Sequence, residues 1–572
     1  MRKTAVLRIR ILTGFVLFLA LLLVGRLYQL QILQKETYLA KAEKQYVHTV
    51  EDLYDRGSIF FTTKDGQEVS AATIQAGFLL AVDPSELTDA ESAYSALAAY
   101  IDLDHETFIH RATLPERTYV EIDSMVSGDN AKAIEALDIT GVHLYRNQWR
   151  YYPGGTLAAR TIGFIGYGGD GDDVLSGRYG LERYYDDVLQ RTQERLSVNF
   201  FAEMFSNFGS MVFDSTPQRR GDIVTTIEPT VARMLQNELL SVNDQYQSEL
   251  TGGIIINPKN GEIYALDAVP TFDLNDRGGA SIQDFQNPLI EDVYELGSII
   301  KALTMASGLD SGAVGRWTTY YDPGRIELDT FTISNYDGRG RGTVPMQEVL
   351  NQSLNTGVAF VVDTMGKKRF RDYFLNLKLG SETGIDLPNE THGLVQNLNS
   401  PRDVEYATAS FGQGIALTPI AAVRALSTLG NGGVLITPHI VKSINYTDGT
   451  SKEVNYPEGA RVFSEDTSEE ISRMLVTVVD DALKGGTVAL PDYTIAAKTG
   501  TAQIADQVNG GYYDDRYLHS FFGYFPAYDP EYLVFLYTVE PKNVSYASET
   551  LTDPFMEIAK FLINYYSVPP DR

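Results

Sequence analysis

The chain has 572 residues, enough for roughly two to four domains that each bury a core of their own. Its net charge of −28, from 75 acidic against 47 basic residues, repels polyanions and argues against nucleic-acid binding. Cysteine is absent, which excludes disulfides, iron–sulfur clusters and thiolate catalysis while leaving the compartment open.

At the N-terminus Arg2, Lys3, Arg8 and Arg10 precede an apolar run from Ile11 to Gly25, and Arg26 follows it. At about 1.5 Å per residue the run spans roughly 22 Å, short of a bilayer core of about 30 Å. Ile9, Leu27 and Leu30 lengthen it, and Arg10 and Arg26 can snorkel to the headgroups. Gly25-Arg26-Leu27-Tyr28 lacks a small-x-small cleavage pattern, so an uncleaved anchor is expected over 1–30 rather than a signal peptide. The basic flank predicts a cytoplasmic N-terminus with the bulk of the chain outside.

Residues 31–50 read as a helix rising from the membrane. From Arg56 to about Leu189, short alternating runs broken by Gly, Pro and Asp predict a β-rich extended module with a few helices, one of them over Asp129–Leu137. Gly166-Tyr167-Gly168-Gly169-Asp170-Gly171 matches a dinucleotide fingerprint in letters only. Asp172 and Asp173 follow it instead of a helix, so a solvated turn is the expectation. Asn199 to Phe205 is an aromatic patch between charged flanks, expected to pack as a linker helix.

From Gly221 onward one large domain is predicted. Gly252 to Leu266 has the hairpin pattern of two apolar strands around Asn260-Gly261. Helical regions follow around Ser298, from Pro345 to Phe374, and after Thr418. Thr494–Gln503, Ser520–Ala527 and Tyr532–Val539 read as strands, and Asp553–Tyr566 as a closing helix. An early hairpin, middle helices and late strands predict an α+β domain whose antiparallel sheet is flanked by helices.

Chemistry concentrates at three motifs. Ser298-Ile299-Ile300-Lys301 is the one S-x-x-K in the chain. Spaced three apart on a helix, the Lys301 amine can reach the Ser298 hydroxyl. Burial among Ile299, Ile300, Leu303 and Met305 would lower its pKa and make it a base. Lys498-Thr499-Gly500-Thr501 offers a cation and two hydroxyls to a carboxylate, with Gly500 allowing close backbone approach to a ligand. The Thr501 and Ser298 amides could together form an oxyanion hole. S-x-N occurs at Ser197, Ser241, Ser353 and Ser443, of which Ser353 and Ser443 lie between the other motifs. Ser443 reads as strand-then-turn; Ser353 and Asn355, in a helix-flanked turn, are the pair chosen.

S-x-x-K, S-x-N and K-T-G in that order resemble the penicillin-recognising serine transferases. Arg56-Gly57-Ser58-Ile59, Tyr151-Tyr152-Pro153-Gly154-Gly155, Gly180-Leu181-Glu182, Phe411-Gly412-Gln413-Gly414, Thr418-Pro419 and Asn431-Gly432-Gly433 extend the likeness to class B penicillin-binding proteins. The chain departs from them at Leu296 and Ala497, which replace a common proline and glycine, and at Phe60 to Gly66, which keeps only a turn.

The resemblance implies a transmembrane anchor, a pedestal (dimerisation-type) domain with linker over 31–220 and a transpeptidase domain over 221–572. It implies peptidoglycan D,D-transpeptidase activity, inhibition by β-lactams, and neither cofactor nor metal. Ser298 would be the nucleophile, Lys301 its base, and Ser353 with Lys498 the proton relay. Asn355, Thr499, Gly500 and Thr501 would hold the donor. Implied partners are peptidoglycan stem peptides, β-lactams, the membrane, and a SEDS-type glycosyltransferase with other division or elongation proteins; a septal role is favoured over elongation. The rival readings are a D,D-carboxypeptidase or β-lactamase-type hydrolase, or a scaffold that activates a glycosyltransferase.

Overall fold

The computed structural model describes residues 55–115, 117–168, 175–191, 219–457, 459–506 and 508–572. The expected anchor, the helix at 31–50 and the aromatic stretch at 199–205 lie outside the described residues, as do residues 169–174, on which the acidic turn falls. Among the described residues no helix is long and apolar enough to cross a membrane.

Two compact units divide the chain, one centred on 75–149 and the other built from 56–74 and 150–572. In the larger unit, β1 (Ile59–Thr62) pairs antiparallel with the first half of β2 (Glu68–Val82). In the smaller unit the helices α1 (Ala90–Leu97) and α2 (His105–Ala112) are followed by β3 (Val120–Val126), which pairs with the second half of β2. Next come α3 (Gly128–Glu135) and β4 (Val142–Tyr151), which also pairs with β2. Asp89, Asp104 and Ser127 cap the three helices by accepting from backbone amides of the first turn. One face of each helix supplies apolar side chains, among them Leu97, Phe108 and Ile134, to a small core with Leu80 and Val126.

The larger unit holds the main core. β5 (Gly221–Thr225) runs parallel to β1, and α4 (Pro229–Tyr246) starts with proline in its first turn, where a missing amide costs nothing. The expected hairpin is present as β6 (Leu250–Ile256) and β7 (Ile263–Val269). Then follow α5 (Ile300–Asp310), β8 (Thr319–Asp322), β9 (Gly342–Pro345), α6 (Asn355–Met365) and α7 (Pro419–Ser427). The chain ends with β10 (Val441–Tyr446), α8 (Glu465–Thr477), β11 (Ala496–Ala505), β12 (Tyr512–Phe525), β13 (Tyr532–Val539) and α9 (Thr552–Tyr566).

The sheet order is β11-β12-β13-β6-β7, antiparallel throughout. Every residue of β13 from Tyr532 to Thr538 is buried, so helices cover both sheet faces. α4 and α9 pack on each other and on the sheet, while α8 contacts β11. The fold is therefore the expected α+β arrangement. β12 begins earlier than Ser520, because its polar N-terminal half, Tyr512 to Tyr517, keeps pairing with β11 without an apolar pattern to betray it. The helical region expected from Pro345 to Phe374 is broken at Ser353 and Gly366, both at positive φ.

Candidate active site

Ser298 does not lie inside the long helix. It sits on a 3-10 turn, Gly297–Ile299, that leads into α5. Gly297 has φ +63°, and a Cβ there would lie 2.7 Å from the Thr501 carbonyl oxygen. A side chain at this position would therefore be both strained and blocked. The Gly297 amide donates to the Gly412 carbonyl at 3.2 Å, and the Ser520 hydroxyl donates to the Leu296 carbonyl at 2.7 Å. The serine turn is thus clamped between β11, β12 and the Phe411–Gly414 block.

Lys301, one turn further on, is fully buried. Its Nζ donates to the Ser353 carbonyl at 2.5 Å and to Ser353 Oγ at 3.1 Å. From the other side Lys498, also buried, donates from Nζ to the same Oγ at 3.2 Å and to the Thr499 carbonyl at 3.0 Å. Burial pushes the Lys301 amine well below the usual lysine range, and the nearby Lys498 cation adds to the effect. Burial alone brings Lys498 down to about 7. The hydrogen bonds of Lys301 thus run to Ser353 and not to Ser298. A left-handed Ser353 (φ +55°) aims its carbonyl at the amine, which a desolvated amine needs as partner.

These groups open onto a cleft of about 660 Å³ lined by Ser298, Ser353, Asn355, Lys498, Thr499 and Thr501 among others. Asn355 opens α6 and donates from Nδ2 to the Ser334 carbonyl at 2.8 Å. Behind it, buried Asp322 accepts from the Thr356 hydroxyl at 2.7 Å and from Asn335 Nδ2 at 3.0 Å. Thr501 Oγ1 accepts from the Ala547 amide at 3.1 Å. Gly500 also lies against the serine turn. A Cβ would lie 2.6 Å from the Leu296 carbonyl oxygen, so its bareness lets β11 press against the serine turn. Of the other S-x-N serines, Ser241 lies on α4 and Ser443 on β10, neither lining this cleft, and Ser197 lies outside the described residues.

Residues 251–560 match the penicillin-binding protein transpeptidase domain, and residues 55–200 match the penicillin-binding protein dimerisation domain. The chain belongs to the penicillin-binding proteins, and its two domains make it class B.

Stage V sporulation protein D of Bacillus subtilis is 30% identical to this penicillin-binding protein, covering 96% of the chain and 83% of that protein. The probable peptidoglycan D,D-transpeptidase FtsI of Caulobacter vibrioides is 28% identical, over 82% of the chain and 74% of its own. The crystal structure of penicillin-binding protein 3 from Mycobacterium tuberculosis with aztreonam shares the fold at TM-score 0.67 and 22% identity, covering 91% of this chain and 98% of that one. Penicillin-binding protein 2X of Streptococcus thermophilus does so at TM-score 0.70 and 20% identity, covering 91% and 81%.

Two supports of this penicillin-binding protein's cleft escape sequence reading. Half-buried Glu295 accepts from the Gly414 amide at 3.0 Å and the Tyr512 hydroxyl at 3.2 Å, and burial raises its pKa. Its partners lie more than a hundred residues away, so nothing local marks it. Asp322 had a weak signal: Asp-Pro-Gly is a turn, but its reach to Thr356 is tertiary.

Proposed function

We propose that this penicillin-binding protein cross-links peptidoglycan through a Ser298 acyl-enzyme, as a D,D-transpeptidase that β-lactams inhibit. The observation that carries the residue roles is one hydroxyl, Ser353 Oγ, held between two buried amines at 3.1 and 3.2 Å in the cleft that Ser298 lines. Ser298 Oγ attacks the penultimate D-alanine carbonyl, and its proton passes to neutral Lys301. Ser353 carries a proton between the amines and delivers one to the departing D-alanine nitrogen as the peptide bond breaks. The Ser298 and Thr501 amides receive the oxyanion. Lys498, Thr499 and Thr501 bind the terminal carboxylate, and Asn355 bonds the donor backbone. An acceptor amine then attacks the acyl-enzyme and loses its proton to Lys301, which passes it to the departing Ser298 oxygen, so that the new amide, free Ser298 and neutral Lys301 result.

No Asp or Glu lines the cleft among the described residues, so no carboxylate stands ready to activate water against the acyl-enzyme. A transpeptidase with a long-lived penicillin adduct is favoured over a hydrolase on that ground. Incubation of the folded protein with benzylpenicillin should add one drug mass, retained for hours, and Ser298→Ala should remove it. Absence of any adduct on the folded wild-type protein overturns this reading.

The apolar run at 11–25 supports a single-pass anchor in the bacterial cell membrane, with pedestal (31–220) and transpeptidase domain (221–572) outside. A septal role, with a SEDS-type glycosyltransferase as partner, extends this reading; the FtsI relative fits the septal role, whereas the relative named for stage V sporulation points to a role in sporulation. Imaging a tagged copy in growing cells tests the septal role: midcell enrichment supports it and a sidewall distribution rejects it.

A further inference from the structure

The cleft holds a second cation that the reaction above leaves unused. Besides Lys498, the one charged residue lining it among the described residues is Lys484, and no Asp or Glu lines it although the chain carries −28. A strongly acidic protein that keeps Asp and Glu out of its cleft lining and sets two lysines along it presents a local field that draws anions. The two lysines come from different walls. Lys498 stands on β11, whereas Lys484 follows Val478, Ala482 and Leu483 in the segment that leaves α8.

Two further observations mark Lys484. Its backbone is left-handed (φ 48°, ψ 34°), a conformation that favours glycine, so lysine occupies it at the expense of strain. Its Nζ is paired at 2.6 Å with Asp553, which is 70% exposed. An exposed pair of this kind is weak and screened, so an incoming carboxylate can take the place of Asp553.

We propose that Lys484 forms a second carboxylate subsite, through which the enzyme prefers donor peptides bearing a free carboxylate on an internal side chain in addition to the C-terminal one. This rests on the transpeptidase reading of the same cleft. Its test uses two depsipeptide donors ending in D-alanyl-D-lactate that differ only in whether the internal side-chain carboxylate is free or amidated. The wild-type rate of Ser298 acylation should favour the free carboxylate by about fivefold, the scale of a part-exposed ion pair. Lys484→Gln should bring that ratio to about one, and Lys484→Arg should keep it.

Asp553→Asn separates the subsite from a merely structural pair. Freed of its partner, Lys484 should hold or raise the ratio, whereas a structural role predicts the same loss as Lys484→Gln. A wild-type ratio of one, or a ratio unchanged in Lys484→Gln, overturns the subsite. Benzylpenicillin is the control: if it fails to label wild-type Ser298, the transpeptidase reading itself has failed.

Discussion

Lys301 and Lys498 share a hydroxyl, and two ammonium ions across it would repel in a site that also denies them water. Burial drives Lys301 further toward the neutral amine, and Lys498, brought down to about 7, is the one that better keeps its proton. Acylation needs that state: a free pair on Lys301 to take a proton, and a cation on Lys498 to hold the donor carboxylate. Protonation of Lys301 on the acid side and deprotonation of Lys498 through about 7 on the alkaline side should give a bell-shaped rate. Both limbs belong to the coupled pair. The second-order rate of benzylpenicillin acylation, followed from about pH 5 to 10, measures it. Lys498→Arg stays charged throughout and should carry the alkaline limb upward by more than one pH unit. A wild-type rate flat through neutrality rejects the assignment of the cation.

The nucleophile's position is set by how close one strand lies to one turn. β11 runs against Gly297–Ile299, and Gly500 is where the two backbones meet. A methyl group there has no void to enter: it meets the Leu296 carbonyl, the Ser520 hydroxyl and Ile299. Gly500→Ala should therefore move β11 off the serine turn, lowering stability by about 1–3 kcal/mol and acylation by more than tenfold. Thermal unfolding and penicillin labelling read the two effects. Unchanged labelling would mean that the strand yields without disturbing Ser298. α6 obeys the same logic, since Asp322 and Asn335 hold Thr356, and through it the start of the helix that carries Asn355.

Across the larger unit, residues near the start of the described chain are bound to residues far along it. Arg56 and Arg150 each donate to a different oxygen of Glu182 at 2.6 Å, and all three are buried. Removing the shared carboxylate takes the ionic partner from buried Arg150, while Arg56 keeps Asp186 at 2.7 Å, and a buried pair broken in this way costs about 3–5 kcal/mol. Glu182→Gln should lower the unfolding midpoint by several degrees yet still allow penicillin labelling below it, because none of the three lines the cleft. An unaltered midpoint would show that the network adds nothing to stability.

Much of this was legible in the chain alone. Apolar patterning was enough for β13 and α9, because a buried strand and an amphipathic helix each impose a period on their own residues. The motifs marked Ser298, Lys301, Ser353 and Lys498 because their chemistry depends on residue type. Which acceptor Lys301 would choose, why Gly500 is bare and how Glu295 and Asp322 support the cleft were settled only by the tertiary structure. Each of these turns on groups tens to hundreds of residues apart meeting within about 3 Å, and no local period or spacing encodes such a meeting.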